Sequence, residues 1–152
     1  MKVMVLYSSS DFPLSAVAGA IYLKQISHDK DSIVKLCNST LTETYRSYTD
    51  GRFQYLGENQ QGTWVVAFSC RSGKVMLKNL IETFLEMYSI DSSHCRVVEI
   101  KTPGSILFLM GELLSKLPPA WGRHMQEKYI GIIYPRLVET VKLDCNFQIS
   151  DN

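Results

Sequence analysis

The sequence has little net charge, because 16 lysines and arginines stand against 15 aspartates and glutamates in 152 residues. Without a surplus of positive charge, no strong field draws the chain to nucleic acid or to an anionic membrane. We therefore predict that the protein binds neither. The hydrophobic share of 45% is that of an ordinary globular protein, and we predict a single domain over residues 1–152.

Metal and cofactor motifs are also missing. The three histidines lie far apart, and no two of the four cysteines form a CxxC pair; the cysteines are Cys37, Cys70, Cys95 and Cys145. Zinc sites need closely spaced ligands, so we predict no metal site. The phosphate-binding motifs GxxxxGK[ST] and GxGxxG are absent as well, and the sequence leaves the identity of any cofactor unknown.

Long hydrophobic runs are lacking too. The apolar run from Ile106 to Met110 is much too short to cross a bilayer. The apolar start, Met1 to Tyr7, is far shorter than a signal peptide. Without an export signal the cysteines are expected to be reduced thiols, so we predict a cytoplasmic protein.

The sequence does contain strand patterns that alternate with helix patterns. The apolar run from Val3 to Tyr7 predicts a strand buried on both faces. The runs 53–56 and 63–68 flank a polar, glycine-bounded turn and predict a hairpin whose first strand lies nearer the edge. The run 95–100 predicts another core strand. Together they predict an α/β domain with a three-layer, Rossmann-like fold: a short, mainly parallel sheet with one hairpin strand.

Helices are predicted over 14–26, capped by Asp11, over 75–88, over 105–117, capped by Ser105, and over 126–143, with a kink or a start at Pro135. Residues 27–52 are polar and contain at most a short helix near Ile33, so they form either a lid or an irregular excursion. Apolar positions at helical spacing are expected to face the core. In the second and third helices these are Val75, Leu77, Leu80, Ile81, Phe84, Leu85, Tyr88, Ile106, Leu109, Met110, Leu113, Leu114 and Leu117.

The loops that follow parallel strands meet at the carboxyl edge of a sheet, where open α/β folds bind ligands. Helix N-termini at that edge favour an anion. The candidate ligand-binding residues are Ser8, Ser9, Ser10, Ser15, Arg71, Ser72, Lys74 and Arg123. Ordinary caps and turns use the same residue types, so a purely structural role is the alternative. No catalytic residue is predicted, because no base is placed beside Cys70.

Several segments carry a resemblance to a known family. They are the opening strand, the small-residue helix 15–23, the turn 56–62 before Trp64, Gly111, Gly122-Arg123, Gly131-Ile132 and the closing run 134–138. In this order they resemble the bacterial proteins called domain of unknown function 3189, found in spore-forming Gram-positive bacteria. The resemblance supplies no activity.

The resemblance also implies a Gly-Gly-x-His-Ser-Ser loop after the first strand, which would suit an anion or a nucleophile. Here residues 10–15 read Ser-Asp-Phe-Pro-Leu-Ser, and only Ser15 matches. The glycines and the histidine are missing, which implies that any function of that loop is lost or altered in this member.

Two functional hypotheses follow. The first is a non-catalytic regulatory or interaction protein with a degenerate pocket, which binds a protein partner or a second copy of itself. A homodimer would use the apolar faces of the third and last predicted helices, although core packing explains those faces without one. The second is a domain that binds a small anion or nucleotide-type ligand at the carboxyl rim. A deep pocket lined by Ser8, Arg71 and Arg123 would favour the ligand. A rim filled by Phe12 and Leu14, with an apolar patch exposed elsewhere, would favour the partner.

Overall fold

The computed structural model describes residues 2–10, 12–27, 29–38, 53–70, 74–101, 104–117 and 119–145. The strands are β1 (Lys2–Ser8), β2 (Phe53–Glu58), β3 (Thr63–Ser69) and β4 (Cys95–Glu99). The helices are α1 (Leu14–Tyr22), α2 (Lys30–Asn38), α3 (Lys74–Met87), α4 (Ser105–Ser115) and α5 (Pro119–Cys145), with a short 3₁₀ turn at Ser92–His94.

The four strands form one open, mostly parallel sheet in the order β2-β3-β1-β4. β1 runs parallel to both β3 and β4, and β2 is antiparallel to β3. The three predicted strand directions and the hairpin are therefore confirmed. The exits of β1, β3 and β4 share one edge, which we call the carboxyl rim.

The β2–β3 hairpin is shaped by its turn residues. The Asn59 side-chain oxygen accepts hydrogen bonds from the N–H groups of Gln61 and Thr63, each at 2.9 Å. Gly62 has a φ of 74°, which a glycine adopts without strain. These contacts fix the turn that brings the two strands together.

The larger core lies on one face of the sheet. Met4 and Leu6 of β1 point there with Val65 and Ala67 of β3, and they pack against buried residues of α1, α2, α4 and α5. The opposite face carries a smaller cluster, in which Leu77 of α3 is buried. The helices α1, α2, α4 and α5 therefore cover one face of the sheet, and α3 covers part of the opposite face.

Several helix predictions need correction. α1 ends at Tyr22 rather than at residue 26, and α5 begins at Pro119, seven residues before the predicted start. α5 also runs through Pro135 as one helix. The N-cap of α4 is Gly104 rather than Ser105. The short helix near Ile33 is α2, whereas Asp11 and residues 39–52 lie outside the described residues.

The predicted core faces of α3 and α4 are largely wrong. In α3, Leu77 and Leu85 are buried, but Leu80 and Phe84 are 53% and 51% exposed. Val75 and Tyr88 are exposed as well. In α4 the buried residues are Gly111 and Leu114; the exposed positions are Ile106, Leu109, Met110 and Leu113. Both helices are apolar over a wider arc than the core covers, and spacing alone does not reveal which part is packed.

Candidate functional site

The loop after β1 is held by its own serines. The Ser10 N–H donates to Ser8 Oγ at 3.1 Å, and the Phe12 N–H donates to Ser10 Oγ at 3.1 Å. The Ser69 hydroxyl, at the end of β3, donates to the Ser10 carbonyl at 2.8 Å. Ser8 and Ser10 are each 1% exposed. Their hydroxyls are therefore used inside the protein, where they fix the loop against the sheet.

Glu112 of α4 ties this loop to the helical layer. Ser10 Oγ donates to Glu112 Oε1 at 3.1 Å, across 102 positions of the chain. The sequence patterns did not predict this contact. One signal was available: Glu112 is the only charged residue between Ser105 and Ser115, in an otherwise apolar helix. A lone carboxylate in such a helix is expected to have a polar partner.

Phe12 and Leu14 fill the space beneath the loop. They are 2% and 0% exposed, and the Phe12 ring meets the Tyr129 ring edge-to-face at a centroid distance of 4.8 Å. The Tyr129 hydroxyl donates to the Leu107 carbonyl at 2.8 Å. Burial, helped by the negative charge of Glu112, raises the pKa of Tyr129 to about 12. The part of the rim described here is thus filled by aromatic and aliphatic side chains.

The remaining predicted residues are not gathered at this loop. Ser15 is fully buried, Ser9 is exposed, and Arg123 is exposed on the second turn of α5. Arg71 and Ser72 lie outside the described residues, and of Lys74 the backbone alone is described. Ligand binding by these eight residues stays a prediction.

Two cavities lie away from the predicted residues. One, of about 440 Å³, is at the amino edge of the sheet, at the opposite end of the parallel strands from the rim. The other, of about 470 Å³, is an apolar groove between α3 and the sheet; its walls include Val5, Phe53, Val66, Leu80 and Phe84.

The groove is bordered by exposed aromatic side chains of the hairpin. Phe53 stacks on Phe68 at 4.5 Å, and Tyr55 meets Trp64 edge-to-face at 5.5 Å. Strand register places Trp64 beside Val3 on the α3 side of the sheet. We use the term apolar face for eight of the side chains on this side, each of which is 41–68% exposed. They are Phe53, Tyr55, Trp64, Met76, Leu80, Phe84, Met87 and Tyr88.

Cysteine and metal chemistry finds little support in the described residues. Cys70 is buried at the end of β3, where its N–H donates to the Ser8 carbonyl at 3.1 Å. Burial raises the pKa of the Cys95 thiol. No three His, Cys, Asp or Glu side chains converge in the part of the chain that the structure describes. Nor is any helix there long and apolar enough to cross a membrane.

Comparison with known proteins gives one match. The sequence model of a family described as "Protein of unknown function (DUF3189)" matches residues 3–143, which is most of the chain. The resemblance stated from the sequence motifs is therefore confirmed. No curated protein and no solved structure matches the chain.

Proposed function

The chain belongs to the DUF3189 family of proteins of unknown function, and we propose that it is a non-catalytic interaction protein that pairs with a second copy of itself. The pairing surface is the apolar face of α3 and the hairpin. The observation that carries the proposal is that these eight apolar side chains stay 41–68% exposed on one side of the molecule.

The closed loop after β1 supports a role without catalysis. Ser8 and Ser10, which would be the natural ligand contacts, are buried and hydrogen-bonded within the protein. Phe12 fills the space beneath them. An anion would have to break these contacts before it reached either hydroxyl, and a buried polar group that loses its partner costs about 1–3 kcal/mol.

The exposed area of the apolar face is compared with the area that each partner buries in a stable interface. A fully buried aromatic side chain removes about 150–250 Å² from water. Five of the eight side chains are aromatic and about half exposed, so the aromatic residues alone present roughly 400–600 Å² per copy, to which Met76, Leu80 and Met87 add. A standard interface takes about 800 Å² from each partner, whereas the largest patch on a typical monomer is about 300–600 Å².

The chemistry of the face favours a second copy over a charged partner. The groove at its centre is lined by valine, isoleucine, leucine and phenylalanine, with His94 and Cys95 at one end. On α3, Lys78 Nζ lies 3.4 Å from Glu82 Oε1, so these two opposite charges balance each other within one copy. Two identical faces of this kind meet without like-charge repulsion, and aromatic and methionine side chains are typical of interface centres.

The same pairing bears on the predicted three-layer, Rossmann-like fold. Such a fold has helices on both faces of its sheet, and among the helices of the described residues α3 alone lies on the second face. We infer that α3 of the second copy supplies the missing cover over β2 and β3. The third layer is then completed in the dimer.

Sedimentation velocity over a range of protein concentrations tests the proposal. We expect a dimer that dissociates on dilution. The variants Leu80→Glu and Phe84→Glu should be monomeric, because a buried unpaired charge is strongly unfavourable. Circular dichroism should show unchanged helix content, since both side chains are already half exposed.

Leu113→Glu is the matched control. Leu113 is 63% exposed on α4, outside the apolar face, so this variant should dimerise like the wild type. A wild-type protein that stays monomeric at every concentration would refute the proposal. So would a dimer that Leu113→Glu dissociates and Phe84→Glu does not.

A further inference from the structure

The cavity at the amino edge of the sheet is lined by more basic than acidic residues, whereas the two kinds are nearly balanced in the whole chain. Its walls contain the basic side chains of Lys2, Lys24 and Arg96, and Glu58 is the one acidic residue among the described residues that line it. The complete chain has a net charge of only +1. Positive charge is therefore concentrated here, although the overall composition shows no basic bias.

We propose that this cavity binds a small phosphorylated molecule. The volume of about 440 Å³ lies within the range of about 300–1,000 Å³ typical of small-molecule sites. Besides the cations, the walls offer the side chains of Asn59, Gln60, Gln61 and Ser93, which can hydrogen-bond the polar body of such a ligand. A multiply charged phosphate suits three cations better than a single carboxylate does.

The end of α1 at this cavity would otherwise disfavour an anion, because helix C-termini carry partial negative charge. Here three carbonyls of its last turn are already bonded. The N–H groups of Leu23, Lys24 and Gln25 donate to the carbonyls of Gly19, Ile21 and Ala20 at 2.9–3.0 Å. Lys24 follows directly and adds its own positive charge.

The wall of the cavity is ordered by contacts that need no ligand. Asn59 accepts hydrogen bonds from the turn backbone, and its side-chain N–H donates to the Tyr22 hydroxyl at 2.9 Å. The hairpin turn is thereby joined to the end of α1. A wall that is already fixed loses little conformational freedom on binding, which favours affinity.

His94 also lines the cavity, and Asp91 of the neighbouring turn is near enough to interact with it electrostatically. The Asp91 carboxylate accepts a hydrogen bond from the Ser93 N–H at 2.9 Å, and that bond is the main cause of its lowered pKa. The proposal therefore depends on Lys2, Lys24 and Arg96.

Isothermal titration calorimetry with inorganic pyrophosphate, and with AMP against adenosine, tests the site on the wild-type protein. We expect pyrophosphate and AMP to bind and adenosine not to bind, with affinity that falls as salt is added. The double variant Lys2→Gln/Lys24→Gln should weaken binding about fivefold. The charge-matched control Lys35→Gln/Lys142→Gln removes two exposed lysines elsewhere and should leave binding unchanged.

Amide chemical-shift changes on adding pyrophosphate locate the site. We expect them at Lys24, Asn59 and His94. Shifts confined to Ser9 and Gly104 would place the ligand at the carboxyl rim and overturn the proposal. Absence of binding at millimolar probe, or equal weakening by the two double variants, would overturn it as well. Neither result affects the dimer, because sedimentation measures the dimer in the absence of a ligand.

Discussion

At the scale of single residues, the hydroxyl and the carbonyl of Ser10 together make three hydrogen bonds. Its hydroxyl donates to Glu112 and accepts from the Phe12 N–H, and its carbonyl accepts from Ser69. The loop after β1, the end of β3 and helix α4 therefore meet at one small side chain. These hydroxyls already have partners inside the protein, so a ligand would have to displace those bonds in order to reach them.

Replacing Ser10 by alanine should destabilise the fold. The Phe12 N–H and the Glu112 carboxylate both lose a partner in a buried or half-buried place, which costs about 1–3 kcal/mol. Urea denaturation at neutral pH measures the change in the free energy of unfolding. Ser9→Ala is the control, because Ser9 is exposed, and it should stay within about 0.5 kcal/mol of the wild type. Equal stability of the two variants would contradict the account of the loop.

Tyr129 should make the protein sensitive to alkali. Burial and the charge of Glu112 raise the pKa of Tyr129 to about 12 in the folded state, whereas an unfolded tyrosine titrates near about 10. A raised pKa means that the folded state holds its proton more tightly. Its contribution to stability is therefore complete below pH of about 10 and is lost as the pH rises toward about 12.

Tyr129→Phe tests this dependence by denaturation at neutral and at alkaline pH. At neutral pH the variant loses the bond to the Leu107 carbonyl, about 0.5–1.5 kcal/mol. Between pH of about 10 and 12 its unfolding free energy should fall less steeply than that of the wild type. Tyr88→Phe, at a tyrosine that is exposed in the single copy, should keep the wild-type slope when both proteins are measured as monomers. If Tyr129→Phe kept the wild-type slope, Tyr129 would not be the cause of the loss of stability at alkaline pH.

At the scale of elements, glycine sets how closely α4 approaches α5. A Cβ on Gly111 would lie 2.7 Å from the Tyr129 hydroxyl oxygen and 3.3 Å from Phe12 Cβ. The Tyr129 ring is buried and bonded, so it has little room to move away. Close packing of these helices therefore needs the missing side chain at position 111.

Gly111→Ala should lower the free energy of unfolding by about 1–3 kcal/mol, because overpacking outweighs the better helix propensity of alanine. Gly131→Ala is the matched control on α5. Nothing lies within 4 Å of a Cβ there, so alanine should stabilise the protein by about 0.5–1 kcal/mol. Thermal and urea unfolding compare the two variants. If both variants are more stable than the wild type, the conclusion that α4 and α5 leave no room for a Cβ at position 111 is wrong.

Strands could be predicted from the sequence better than helix faces. The run from Val3 to Tyr7 is apolar throughout. A short, continuous apolar run is typical of a strand that is covered on both faces. α3 and α4 are also apolar over much of their circumference, and spacing alone did not show that Phe84 and Leu113 are exposed. The packed side of such a helix is decided by its neighbours.

At the scale of the whole molecule, the sequence predicted the shared rim but not what occupies it. Parallel strands follow from the alternation of strand and helix patterns. The bond from Ser10 to Glu112 spans 102 positions, and the positive cavity joins Lys2, Glu58 and Arg96 from three strands. Contacts over such separations leave no mark on local composition, so neither feature could be derived before the fold was known.

The central claim is that the apolar face of one copy covers the same face of a second copy. An isotope-filtered NOE experiment on a mixture of labelled and unlabelled protein measures contacts between copies directly. We predict contacts from the Phe84 ring of one copy to the apolar face of the other, for example to Phe53 or Met76. Contacts to the Leu113 methyl groups in place of these, or no contacts between copies at a concentration where the protein sediments as a dimer, would contradict the claim.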